Sequence, residues 1–148
     1  MTQAAGPYQV ATGDTSIASS GSMSGILVDD AFLSELVDAI GLDGVLEAMG
    51  YFRDEAAIRI AAIQHSVATG TYPRLRREAH ALAGAALTLG LSGLGAAAHA
   101  IERRTETTEP DSQSVATLAD LLDRSLLEAS RWEARQRSVG DETNRRND

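Results

Sequence analysis

Between Asp29 and Ser138 apolar residues return every three or four positions. That is the period of a helix with one buried face, and no stretch alternates as a strand would. Five helical segments follow from it. The first spans about Asp29–Ile40, with Asp29 or Asp30 as N-cap and Phe32, Leu33, Leu36, Val37 and Ile40 as its stripe. The second spans about Leu42–Ala68, with Val45, Met49, Phe52, Ala56, Ile60, Ile63 and Val67 inward, and Gly70 closes it. The third opens at Tyr72–Pro73, where a proline costs little because a first-turn N–H has no partner. It runs through Leu75, Ala79, Leu82, Ala86 and Leu89 to Gly90. The fourth turns Leu94, Ala97 and Ile101 inward and ends near Arg104. After a loop around Pro110, the fifth spans about Ser112–Ser138 on Val115, Leu118, Leu122, Leu126, Ala129 and Trp132.

Short connections between long amphipathic helices make consecutive helices antiparallel neighbours. The expected fold is all-α: an up-down antiparallel four-helix bundle with an additional short N-terminal helix. Residues 1–24 are rich in Gly, Ala, Ser and Thr without a period, and residues 139–148 are polar without one. Both read as disordered tails around a bundle at 25–138.

Composition narrows the function. Aromatics are 4% and alanine is abundant, which suits closely packed helices. There is no cysteine, so thiol chemistry, disulfides and Cys-based zinc sites are excluded. The net charge of −8 argues against nucleic acid as a partner. No stretch approaches the ~20 apolar residues of a membrane helix, and no basic-then-apolar leader opens the chain. A cytoplasmic location is the default expectation. Every cation is arginine, which removes lysine as a catalytic amine or phosphate ligand.

The candidate chemistry lies on the third helix. Ala79 and Leu82 sit roughly 100° and 200° from His80 around the helix. The strip away from the core reads Arg76, His80, Ala83, Gly84 and Leu87, so His80 is expected to face solvent. Gly84, one turn on, costs about 1 kcal/mol relative to alanine and opens the surface beside the imidazole. An exposed imidazole, nucleophilic near neutral pH, suits attack on a phosphoryl group delivered by another protein. Leu87 is apolar on the same strip and reads as a partly exposed docking residue. Gly90 reads as a turn, and Gly93 and Gly95 as points of close helix packing. His65 and His99 lack a glycine one turn on and read as surface or boundary residues. The three histidines are too far apart for a local ligand pair, so no metal site is expected.

The run Ala79, His80, Leu82, Gly84, Gly90, Leu94, Ile101-Glu102, with Phe52, Ile60, Ile63, Val67, Gly70 and Leu75 upstream, resembles the histidine-containing phosphotransfer (HPt) family over roughly Asp29–Ser138. The resemblance implies a phosphorelay intermediate in two-component signalling. His80 would accept a phosphoryl group from the aspartate of one receiver domain and pass it to another. Such a module is no enzyme with an ATP site, needs no cofactor of its own, and has response-regulator receivers and a (hybrid) histidine kinase as partners. It is expected to be a monomer. The family usually has Lys three residues after the histidine, where this chain has Ala83; Arg76 or Arg77 could substitute, with Ala83 then part of the docking face. The alternative is a phosphorylation-dead module of the same shape that docks a receiver or kinase.

Overall fold

The computed structural model describes residues 26–148, so the expected tail at 1–24 lies outside the described residues. Four helices follow in order: α1 (Asp30–Thr69), α2 (Tyr72–Thr88), α3 (Ser92–Thr105) and α4 (Ser112–Asn147). No strand occurs among the described residues. Each helix packs on two neighbours in a closed ring, α1 on α2, α2 on α3, α3 on α4 and α4 on α1. With the short connections, that ring is an up-down four-helix bundle.

Local chemistry sets the boundaries. The Asp29 carboxylate accepts the Phe32 backbone N–H at 3.0 Å and caps α1. α1 breaks at Gly41 (φ 83°, ψ 158°), a backbone open to glycine and to few other residues. The expected short N-terminal helix is thus the segment before that break, joined to the long one after it by a kink at Gly41. Gly70, left-handed at φ 70°, returns its N–H to the last turn of α1. Pro73 sits in the first turn of α2. Asp111 caps α4, accepting the Ser114 N–H at 2.6 Å.

The core is the one the periodicity marks out. Val45, Met49, Phe52, Ile60, Ile63, Leu75, Leu82, Leu94, Leu118, Leu122 and Trp132 are all buried. Two ion pairs stitch its edges: Arg53 to Glu133 at 2.7 Å joins α1 to α4, and Arg59 to Glu78 at 2.9 Å joins α1 to α2.

Three expectations need correction. Phe32 and Ile40 are exposed although they continue the first stripe. That segment lies at the edge of the bundle beside the α2–α3 turn: Asp29 donates to the Gly90 carbonyl at 2.8 Å, Leu33 alone is fully buried there, and Leu36 and Val37 are only partly covered by the core. Residues 139–147 are helical, not irregular; α4 runs on to Asn147 with every residue of 139–147 exposed. A helix needs no apolar face where the preceding turns already nucleate it, since each further residue then adds a hydrogen bond without a new nucleation cost. The third correction, Ala83, belongs to the site.

Candidate phosphoacceptor site

α2 and α3 form the most extensive helix pair of the bundle, and small residues make that possible. Ala79, Ala83, Ala86, Gly95 and Ala98 are all buried. A Cβ on Gly95 would lie 2.5 Å from Leu87 Cδ2 and 3.5 Å from the Ala83 carbonyl oxygen. A Cβ on Gly93 would come within 2.9 Å of the Ile26 carbonyl oxygen. Both glycines therefore serve close packing, as their sequence context suggests. Gly90, at φ 72°, turns the chain between the two helices.

His80 projects from the outer face of α2 with its side chain 69% exposed. Its Nδ1 lies 3.0 Å from Glu102 Oε2 and 3.2 Å from Oε1. His99, one turn before Glu102 on α3, places its own Nδ1 3.2 Å from Glu102 Oε1. The two imidazoles meet edge to face with centroids 6.0 Å apart. Partial desolvation works against ionisation of Glu102. The hydrogen bonds from His80 and then His99, with their positive charge when protonated, outweigh it and hold the carboxyl below the usual carboxylate range.

The chemical consequence concerns the tautomer. An ionised Glu102 only accepts, so the neutral His80 ring keeps its proton on Nδ1. The lone pair is then on Nε2, on the solvent side. A Cβ on Gly84 would meet nothing within 4 Å, so the surface beside the ring is open, as that glycine suggests. A shallow groove next to it is lined by Pro73, Arg76, Arg77, His80, Glu102 and Glu106. Arg76 is partly buried and donates to the Thr105 carbonyl at 3.3 Å, which fixes its guanidinium along the groove. Arg77 is exposed.

Ala83 does not belong to the exposed strip. It is fully buried. A residue three on from His80 lies about 60° to one side of it, and on that side α3 comes closest, at Gly95. Ala83 therefore has no surface to offer a partner. Leu87 is 41% exposed and rests on Gly95, an arrangement compatible with docking.

Two residues of the cluster escape sequence reasoning. Glu102 appears there only as part of a family pattern, and His99 as a boundary residue. They share one turn of α3 at a spacing of three, and the Gly95–Ala98 stretch that brings α3 against α2 is the signal that points to them.

Residues 47–128, more than half of the chain, match the Hpt domain family. No curated protein and no solved structure matches. The fold and the match together define the class: a helical phosphotransfer module of two-component signalling. The chain belongs to the Hpt domain family. Membership supports a general role in histidine phosphotransfer and contact with receiver domains and histidine kinases, by a phosphocarrier and not an enzyme with its own ATP site. No helix among the described residues is long and apolar enough to cross a membrane.

Proposed function

We propose that this chain is a phosphorelay intermediate that carries a phosphoryl group on Nε2 of His80. It receives the group from the aspartate of one receiver domain and returns it to the aspartate of another, in a pathway fed by a (hybrid) histidine kinase. One observation carries the reading: an exposed imidazole, beside a glycine that clears its approach, has its inner nitrogen paired with a carboxylate.

The step follows from that pairing. The Nε2 lone pair attacks phosphorus in line, the N–P bond forms, and the bond from phosphorus to the aspartyl oxygen breaks, returning the receiver's carboxylate. The ring gains positive charge as its lone pair is shared. Its Nδ1–H stays on Glu102, whose negative charge is in place before the reaction and needs no reorganisation. Arg76 and Arg77, on the same groove, supply cations for the phosphoryl oxygens where the family usually has a lysine. The receiver contributes Mg²⁺ and the acidic pocket. Leu87, two turns after His80, sits about 10 Å along the helix and within the footprint of a receiver that covers the imidazole.

The buried Ala83 favours a second reading, a module that docks but does not accept phosphate. Incubating the full chain with a phosphorylated receiver and Mg²⁺ separates the two. The expected result is an acid-labile, base-stable label on the wild type and none on His80→Gln, with unchanged circular dichroism. Label retained on His80→Gln, or moved to His65 or His99, overturns the assignment. An unlabelled wild type that still binds the receiver establishes the docking module.

A further inference from the structure

Histidines 19 residues apart in the chain meet at one carboxylate. We propose that His80, His99 and Glu102 form a binding site for a divalent transition metal of the zinc type, and that the bound metal silences the imidazole of His80. The inhibitory half of this inference rests on His80 being the phosphoacceptor; the binding half does not.

The geometry is that of a chelate spread over two helices. His99 and Glu102 are three apart on α3, so one helical turn presents both. His80 comes from α2. One ligand atom from each of the three lies within 4.8 Å of the other two. The nitrogen–oxygen separations are already 3.0–3.2 Å. A tetrahedral zinc with bonds of about 2.0–2.1 Å needs ligands roughly 3.3–3.5 Å apart, so the nitrogen–oxygen pairs open by a few tenths of an ångström, and the two imidazole nitrogens, within 4.8 Å of each other, close to that spacing around the ion. All three side chains are partly exposed, so water reaches the cluster to take the remaining position.

The donor set selects the class of ion. Two imidazoles and one carboxylate suit Zn²⁺ or Cu²⁺. Mg²⁺ takes oxygen ligands and gives up its water reluctantly, so the magnesium required for phosphotransfer does not compete for the cluster.

Silencing follows from the proton inventory of the ring. In the free site His80 carries Nδ1–H towards Glu102 and a lone pair on Nε2. Metal on Nδ1 takes that nitrogen's lone pair, and the displaced proton moves to Nε2. The ring remains neutral, no proton is lost, and the atom that would attack phosphorus no longer has a free pair. Release of the metal restores the original tautomer.

The test uses the full chain and zinc chloride. Isothermal titration is expected to give one site per chain, weakened at least about tenfold by His99→Ala and by Glu102→Gln and unchanged by His65→Ala, with circular dichroism confirming each fold. No saturable binding, or binding insensitive to His99→Ala and Glu102→Gln, overturns the site. A second arm compares labelling of His80 by a phosphorylated receiver with and without zinc. Zinc should suppress labelling of wild type and suppress it far less in His99→Ala, each protein being its own zinc-free reference. Equal suppression of both places the effect on the receiver and overturns the silencing. A wild type that binds zinc at this site but takes no label without zinc overturns the phosphoacceptor assignment and leaves the metal site standing.

Discussion

The two halves of the bundle are built from different residues. α1 and α4 bury large side chains, with Met49, Phe52, Ile60 and Ile63 on one and Leu118, Leu122 and Trp132 on the other. α2 and α3 bury Ala79, Ala83, Ala86, Gly95 and Ala98 where they meet. Bulk removes apolar area from water, at roughly 25 cal/mol per Å². Small residues bury less each but let two backbones approach. That approach lets His80 on one helix reach Glu102 and His99 on the next. α2 and α3 also send Leu75, Leu82, Leu94 and Ile101 into the shared core, but where they meet each other small residues trade burial for a site whose members are fixed across two helices.

The comparison breaks most readily at Trp132, which is fully buried. Trp132→Ala should cost about 3–5 kcal/mol, the range for truncating a buried aromatic, read as a lower urea midpoint. Below that midpoint, labelling of His80 per folded molecule should be unchanged. A loss under 1 kcal/mol would mean that α4 contributes little to the core.

Ala83→Lys probes the other half. Read from the sequence, this substitution adds an exposed cation and leaves stability alone. With Ala83 fully buried beside Gly95, it instead forces a long side chain into a close contact. It should destabilise by roughly 1–3 kcal/mol, even with the ammonium reaching for water along its stem. An unchanged urea midpoint would show that α2 and α3 are less tightly apposed than described.

What the sequence could and could not disclose divides along the same line. Large residues at helical spacing announce the core, so the stripes ending in Val67, Leu89 and Trp132 and the stops at Gly70 and Gly90 are readable directly. Alanine is compatible with core and surface alike, so nothing local distinguishes buried Ala83 from exposed Ala96. Glu102 is 22 residues from His80, and only the packing of α2 on α3 joins them. Residues 139–147 have no apolar face to read, yet they continue a helix that is already formed.

Leu87 sharpens the comparison at its surface. It is 41% exposed and borders the small-residue contact at Gly95. Leu87→Asp should keep the bundle folded and weaken receiver binding about tenfold, equivalent to ~1.4 kcal/mol, measured by titration with an unphosphorylated receiver. Unfolding of the variant would place Leu87 in the core and take the docking surface with it.

The smallest effect expected is at Asp111, where α3 hands over to α4. Its carboxylate accepts the Ser114 backbone N–H at 2.6 Å, and that bond, then the Ser114 side chain, with a lesser contribution from Arg104, lowers its pKa below the ordinary value of 3.8. A folded pKa below the unfolded one means that the folded state binds the proton less tightly. The resulting stabilisation is complete above the unfolded value and is lost as pH falls through the folded one. Asp111→Asn retains an acceptor oxygen for the cap but does not titrate. The urea midpoints of wild type and Asp111→Asn should therefore differ slightly and constantly from pH 7 to about 5, and the wild-type advantage should shrink steadily below about pH 4. All other carboxylates are common to both proteins and cancel. The side chain is well exposed, so salt should narrow the gap at neutral pH as well. Labelling of His80 at neutral pH should be the same in both proteins, because the cap acts on the helix that stabilises the bundle and not on the pair that holds the imidazole. A gap that persists unchanged to pH 2, or labelling that falls with the cap, would show that the two halves are not separable in this way.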